Sequence, residues 1–385
     1  MNMKKQKTYL DYAATTPLDS RVLKTMLPYL KDKYGNPSSI HSFGQEAVQA
    51  VDKARIQVAK FLNCKPSEIV FTGSASESDN LAIRGLVKKG DHLITTKIEH
   101  KAVLETCKDL ESKGIKVTYL SVNKEGLIDI KDLEKSITPK TKLVSIMYAN
   151  NETGVVQPIK RIKNIYFHTD AVQAANWFKL DVNDLGVDLL TLSGHKIYGP
   201  KGVGLLYIRE GTPIKPIITG GDHEWGLRAG TENVAGIVGI GEAVNQIKTF
   251  RTGQTIPSLT NIEHIERLRS KLIKEVLKIS GSKLNGPIKK ENRLPNIANF
   301  SWNGVEGEGL VIALDQEGIA VSTGSACTSR ELRPSHVLMA MGLPELEAHS
   351  SLRVSLGKYT TNQEIDYFLK ALPKVIKRLR KISGR

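Results

Sequence analysis

Between residues 60 and 210 the chain alternates short β-rich apolar runs with stretches of helical spacing. Seven runs read as strands: Glu68–Thr72, His92–Thr96, Val117–Val122, Leu143–Tyr148, Ile165–Thr169, Leu189–Leu192 and Val203–Ile208. Several are nearly all apolar, as strands covered on both faces are. Glu77–Val87, Glu99–Leu110 and Asp129–Ile137 suit helices, and Gln45–Leu62 places Val48, Val51, Val58 and Leu62 at helical spacing. Alternating strand and helix argues for a mostly parallel α/β sheet of seven strands. After residue 255 the pattern changes to a helix at Ile262–Ile279, strands at Ile297–Trp302, Ile319–Ser322 and Leu352–Leu356, and a closing helix at Thr361–Leu379. This predicts a smaller α+β domain, with Thr252–Ser258 as the junction. The expected division is a large domain of residues 16–255 and a small one of residues 1–15 with 256–385.

One connection is short. The strand ending near Tyr148 must reach the one beginning near Ile165, and parallel strands need a crossover of about a dozen residues or more. Asn151-Glu152-Thr153-Gly154 spends several of the available residues in a loop, which leaves roughly one or two helical turns. Thin cover on one sheet face is the expectation there.

Candidate chemistry sits at the strand ends. Ser193-Gly194-His195-Lys196 follows an apolar run and precedes Gly199-Pro200-Lys201-Gly202. A lysine held at a strand end by a glycine-rich loop can form a Schiff base; the plain alternative is a surface lysine in a turn. Asp170 closes the preceding strand at the carboxyl edge, where open α/β sheets bind ligands. It can pair with a pyridinium nitrogen or cap the following segment. In Thr72-Gly73-Ser74-Ala75-Ser76-Glu77-Ser78, small residues and hydroxyls at a helix start can bind phosphate, or Ser74 or Ser76 can simply cap the helix. Ser322-Thr323-Gly324-Ser325-Ala326-Cys327-Thr328-Ser329 places a thiol in a small polar loop, as a nucleophile or as an unreactive loop residue. Cys64 and Cys107 read as packing residues.

Composition narrows the setting. A chain of 385 residues fits two packed domains. The basic opening MNMKKQKTYLDY lacks the apolar core of a signal peptide. No apolar run reaches the roughly 18 residues of a membrane helix. Three cysteines, without CxxC or HExxH spacing, argue against a metal site and for a reducing cytoplasm. The net charge of +15 is spread along the chain without an RNA-binding motif, which argues against nucleic acid as a direct partner.

With these pieces assembled, the chain resembles the cysteine desulfurases of NifS/IscS type in the class-V aminotransferase family. The resemblance runs from Tyr9-Leu10-Asp11-Tyr12-Ala13-Ala14-Thr15-Thr16 to the terminal helix. It is carried by YGNPSSIHSFG at 34–44, NNETGVVQP at 150–158, HTDAVQA at 168–174, SGHKIYGPKGVG at 193–204, GLRAGTEN at 226–233 and STGSACTS at 322–329. It implies a fold-type-I transferase that uses pyridoxal 5'-phosphate (PLP). Lys196 would form the Schiff base and shuttle the Cα proton, Asp170 would pair with the pyridinium nitrogen, Gln173 would bond the ring hydroxyl, and His100 would stack on the ring. Ala75, Ser76, Ser193 and His195 would bind the phosphate. Thr231 would serve the phosphate site of a second copy, which implies a homodimer. Asn151 and Arg353 would orient the carboxylate of L-cysteine, and Cys327 would take its sulfur as a persulfide for a sulfur acceptor or an iron–sulfur scaffold protein, in iron–sulfur assembly or tRNA thiolation. A selenocysteine lyase, another PLP lyase or an aminotransferase are the alternatives of the same fold. An inactive scaffold is the alternative of another class. Ser76 stands where the family usually has threonine, and relatives carry a longer helix in the 158–165 crossover. The sheet is expected to form and PLP to bind in spite of it.

Overall fold

The computed structural model describes residues 7–159, 165–252, 262–324 and 334–382. The chain opens with β1 (Thr8–Tyr9), then α1 (Ser20–Lys31) and α2 (Ser42–Leu62). The main sheet follows, built from β2 (Ile69–Thr72), β3 (His92–Thr96), β4 (Lys116–Leu120), β5 (Thr141–Ser145), β6 (Tyr166–Asp170), β7 (Leu189–Ser193) and β8 (Gly204–Ile208). Helices α3 (Ala75–Arg84), α4 (Lys101–Ser112), α5 (Ile130–Ser136) and α6 (Val182–Leu185) connect the strands, and α7 (Val234–Thr252) follows them. The strand order is β2-β8-β7-β6-β5-β3-β4. β8 is antiparallel to both neighbours and every other pairing is parallel.

Both faces of this sheet are buried, which accounts for the nearly unbroken apolar strands. Successive side chains point to opposite faces. Val70, Leu143, Leu189 and Leu206 pack with Leu81, Ile83 and Val103 of α3 and α4. Their neighbours Phe71, Val144, Leu190 and Leu205 pack with Val51 and Val58 of α2 and Ile240 and Val244 of α7.

A second sheet holds β9 (Ser282–Asn285), β10 (Ile297–Trp302) and β12 (Ser351–Ser355), all antiparallel in the order β12-β10-β9. Around it lie α8 (Ile262–Val276), α9 (Gly307–Gln316), α10 (His336–Ala340), α11 (Glu345–His349) and α12 (Asn362–Ile382). α12 docks through Ile365, Phe368, Leu372, Val375 and Ile376, a stripe at helical spacing. β1 pairs with β11 (Ile319–Ala320), so the first strand joins the C-terminal part of the chain.

All seven sequence-predicted strands of the main sheet form, His92–Thr96 with its expected ends and the others with ends shifted by at most three residues. The largest shift is in β5, which stops at Ser145 rather than Tyr148. The next residues still run beside β6: Ile146 N–H donates to the His168 carbonyl and Tyr148 N–H to that of Asp170. The short crossover does not prevent pairing, since Leu143, Val144 and Ser145 register with Tyr166, Phe167 and His168. Among its described residues it contains no helix, and residues 160–164 lie outside the described residues, as does most of the expected 252–258 junction. On one face Phe167 is buried; on the other Tyr166 is half-buried, with the Lys142 ammonium 4.7 Å from its ring centre.

Candidate active site

The parallel strands β2, β5, β6 and β7 end along one edge of the main sheet, and a cavity of about 500 Å³ opens there. Lys196, Asp170, Gln173, His100, Ala75, Ser76, Ser193, His195, Asn151 and Arg353, predicted from dispersed motifs, all line it. Among its described lining residues Asp170 is the single carboxylate, against the cations Lys196, Lys201 and Arg353.

Lys196 is placed by a tight turn. β7 ends at Ser193, and Gly194–Lys196 form one 3-10 turn. Gly194 is required by close approach: a Cβ there would lie 2.7 Å from the Pro200 carbonyl oxygen. The Lys196 Nζ donates to the carbonyls of Ala13 (2.5 Å) and Ala14 (2.8 Å). His195 turns the other way, its Nδ1 3.0 Å from Thr15 Oγ1. Burial, with Lys196 and Lys201 nearby, pushes the His195 pKa down to about 4, so its ring is neutral at pH 7.

Asp170 is buried at the end of β6, where Oδ1 accepts from Val172 N–H at 2.9 Å. Burial raises its pKa, opposed by its neighbours His100 and Lys196 and by the Val172 N–H. Amine, carboxylate and imidazole all line the same cavity. His100 is the N-cap of α4, and its Nδ1 accepts from Ala102 N–H at 3.2 Å. A neutral ring that accepts at Nδ1 carries its proton on Nε2. Burial, with Lys196, His336 and Lys101 nearby, lowers the His100 pKa against the pull of Asp170. Behind Asp170, His168 bonds Ser145 Oγ and Thr191 Oγ1 through its two ring nitrogens, and burial takes its pKa down to about 3.

At the opposite end, α3 aims its N-terminus at the cavity. Ser74 is the N-cap, its Oγ accepting from Glu77 N–H at 3.2 Å, so the simple capping reading holds for that residue. The N–H groups at this helix start and the Ser76 hydroxyl suit an anion. Glu77, the nearby acid, is turned away into an ion pair with Arg228 (2.9 Å) and accepts from Gly73 N–H.

Arg353 departs from the simplest form of its assigned role. Its Nη1 donates to the Asn151 carbonyl (2.9 Å) and its Nη2 to Asp11 (2.7 Å). The guanidinium is therefore already partly engaged, while its buried Nε has no partner among the described residues. Gln173 spends its amide N–H on the Ala13 carbonyl at 3.0 Å, and its amide oxygen is the group left for a ligand. Thr231 does not line the cavity. It is exposed, beside a smaller hollow of about 90 Å³ shared with Gly73, Gly202 and Arg228. Cys327 lies outside the described residues. Sequence reasoning missed the cavity-facing carbonyls of Ala13 and Ala14, and Thr15, although the segment containing them was part of the resemblance.

These features fit pyridoxal phosphate. A buried acid shares the cavity with a lysine, a helix start whose nearby acid is held in an ion pair lies at the other end, and the cavity-lining Arg353 keeps a buried N–H without a partner among the described residues.

A family model for aminotransferase class-V matches residues 8–368. The cysteine desulfurase IscS of Dictyoglomus turgidum is 50% identical, over 98% of this chain and 97% of its own. The cysteine desulfurase IscS 1 of Archaeoglobus fulgidus is 44% identical, over 97% of this chain and 98% of its own. Among solved structures, a NifS-like protein superposes with a TM-score of 0.89 at 40% identity, covering 97% of this chain and all of the other. The structure of SspA in complex with cysteine gives 0.78 at 41%, covering 92% and 100%. The seven-stranded sheet, the lysine at the end of β7 and this match along nearly the whole chain establish that the protein belongs to the class-V aminotransferase family, alongside its cysteine desulfurases.

Proposed function

We propose that this chain is a PLP-dependent cysteine desulfurase that converts L-cysteine to L-alanine and receives the sulfur on Cys327. The observation that carries the reading is the buried Asp170 in one cavity with Lys196 and His100, where the other charged lining residues, among those described, are cations. When bound, PLP supplies an electron sink that stabilises negative charge at the substrate Cα. Lys196 would anchor it and exchange the Cα proton at Nζ. Asp170 would hold the ring nitrogen protonated, and His100 would lie against the ring with a proton on Nε2. Ala75, Ser76, Ser193 and His195 would hold the phosphate. Asn151 and Arg353 would orient the substrate carboxylate.

The sulfur step balances without an external oxidant. The Cys327 thiolate attacks the substrate sulfur, an S–S bond forms, and the substrate Cβ–S bond breaks. Cβ then takes a proton to become the methyl group of alanine. The persulfide passes to an acceptor, such as an iron–sulfur scaffold or a tRNA-thiolation protein. A homodimer is supported by exposed Leu27, Leu30, Tyr34, Ile40, Phe43 and Trp225, and by the exposed Thr231 beside the phosphate end. No helix of the described residues is long and apolar enough to cross a membrane, and the cytoplasm is the proposed location. Cys327→Ala is expected to keep bound PLP, read by its visible absorption, and to release no sulfide from cysteine. Full sulfide release by that variant would remove Cys327 from the reaction.

A further inference from the structure

We infer that His336 is a positioning residue: its ring holds the peptide that sets His100 against the cavity. The inference rests on the desulfurase reading and adds a residue that does not line the cavity.

The case begins with packing. Val337, Leu338 and Met341, on and just after α10, bury against Ile98 and Met147 in one small apolar cluster. Ile98 precedes His100 by two residues, and Met147 lines the cavity. α10 is thus seated on the wall that carries His100. Its N-cap Ser335 accepts from Leu338 N–H and donates to the Glu152 carboxylate, which fixes the helix start. His336, the first residue of α10, lies 2.9 Å through Nε2 from the carbonyl oxygen of Glu99. A carbonyl only accepts, so Nε2 is the donor.

That carbonyl belongs to the peptide joining Glu99 to His100. The other side of Glu99 is fixed as well: its Oε1 accepts from Thr96 Oγ1 and Met147 N–H. With side chain and carbonyl both held, the backbone of His100 stays extended (φ −62°, ψ 149°), the N-cap conformation from which its ring accepts Ala102 N–H. If the carbonyl is released, the peptide can turn, and the His100 ring loses both its cap and its defined Nε2–H direction.

The test compares wild type, His336→Leu and His336→Gln. Glutamine keeps a side-chain N–H donor without a titratable ring. Loss of one net hydrogen bond corresponds to about two- to twelvefold. Alanine formation by His336→Leu is expected to lose about fivefold in kcat, with KM for cysteine within about twofold, and His336→Gln is expected to stay within about twofold of wild type. In cofactor-free protein, amide exchange at Ala102 is expected to accelerate about fivefold in His336→Leu, while Cys107 in the same helix keeps its wild-type rate. Wild-type kcat together with wild-type Ala102 exchange in His336→Leu would overturn the inference. So would a His336→Gln variant as impaired as His336→Leu. If wild-type protein forms no alanine, the desulfurase reading falls, and Ala102 exchange still decides whether His336 positions His100.

Discussion

Arg55 and Glu224 are 169 residues apart in sequence, yet they meet as a buried bidentate pair at 2.7 and 2.9 Å. Arg55 also donates to the Ile69 carbonyl, Glu224 also accepts from Phe71 N–H, and the guanidinium lies 4.8 Å from the Phe71 ring centre. Both Glu224 oxygens have donors. Asp170 is equally buried but takes a single hydrogen bond among the described residues, from Val172, and lines a cavity together with His100 and Lys196. The first cluster satisfies both carboxylate oxygens, although the buried Arg55 Nε has no partner among the described residues, and it contains Glu224 and Trp225 in left-handed backbone (φ 47° and 63°), which non-glycine residues rarely adopt. The second is left open. Burial alone does not distinguish these two carboxylates; the donors already bound to each do, three for Glu224 and one for Asp170 among the described residues.

The sharpest way to break this contrast is to cut one charged group from each cluster. Lys196→Ala is expected to lower alanine formation by about a thousandfold or more while far-UV circular dichroism is unchanged, because the Ala13 and Ala14 carbonyls that accept from Lys196 can be satisfied by solvent or a ligand. A variant within tenfold of wild type would erase the distinction. Glu224→Ala is expected to do the reverse. Leaving Arg55 buried without its partner costs about 3–5 kcal/mol, measurable as a lower urea midpoint, with kcat of the folded fraction within a few-fold. An unchanged midpoint would show the pair to be dispensable.

pH sharpens the comparison next. His168 and His195 have pKa values near 3 and 4 in the fold, against 6.5 when unfolded. The unfolded chain therefore binds more protons below pH 6.5, so stability is full above that pH and falls as pH drops towards 4. Glu99 behaves oppositely: burial lifts its pKa from 4.5 to about 8, so its contribution is full below pH 4.5 and is lost as pH rises through 8. Urea midpoints across pH 4 to 9 check both slopes, and Glu99→Gln is expected to flatten the alkaline one. The smallest effect is expected of Ser76→Thr, which keeps the hydroxyl at the helix start: PLP affinity should stay within about twofold, by absorbance titration.

Much of the site was legible because its residues sit in contiguous motifs at strand ends: Ser193 to Lys196 close β7, and Asp170 closes β6. The main strands were legible because burial on both faces makes them unbroken apolar runs. α7 was not read as a helix. It is apolar on nearly all sides and interrupted by glycines, so it lacks an amphipathic stripe. The reason is visible in the packing, where a Cβ on Gly241 would sit 2.7 Å from the Ala54 Cβ of α2. The Arg55–Glu224 pair, the Ala13 and Ala14 carbonyls at Lys196 and the bond from His336 to Glu99 depend on contacts between distant segments. No local spacing announces them.

The most direct measurement is to incubate the protein with PLP, L-cysteine and a reductant, and to quantify alanine and sulfide in the same sample. If the open cluster around Asp170 and Lys196 holds the cofactor for sulfur removal, the two products rise in equal amounts and both vanish without PLP. Pyruvate and ammonia in place of alanine, or no product from PLP-loaded protein, would contradict it.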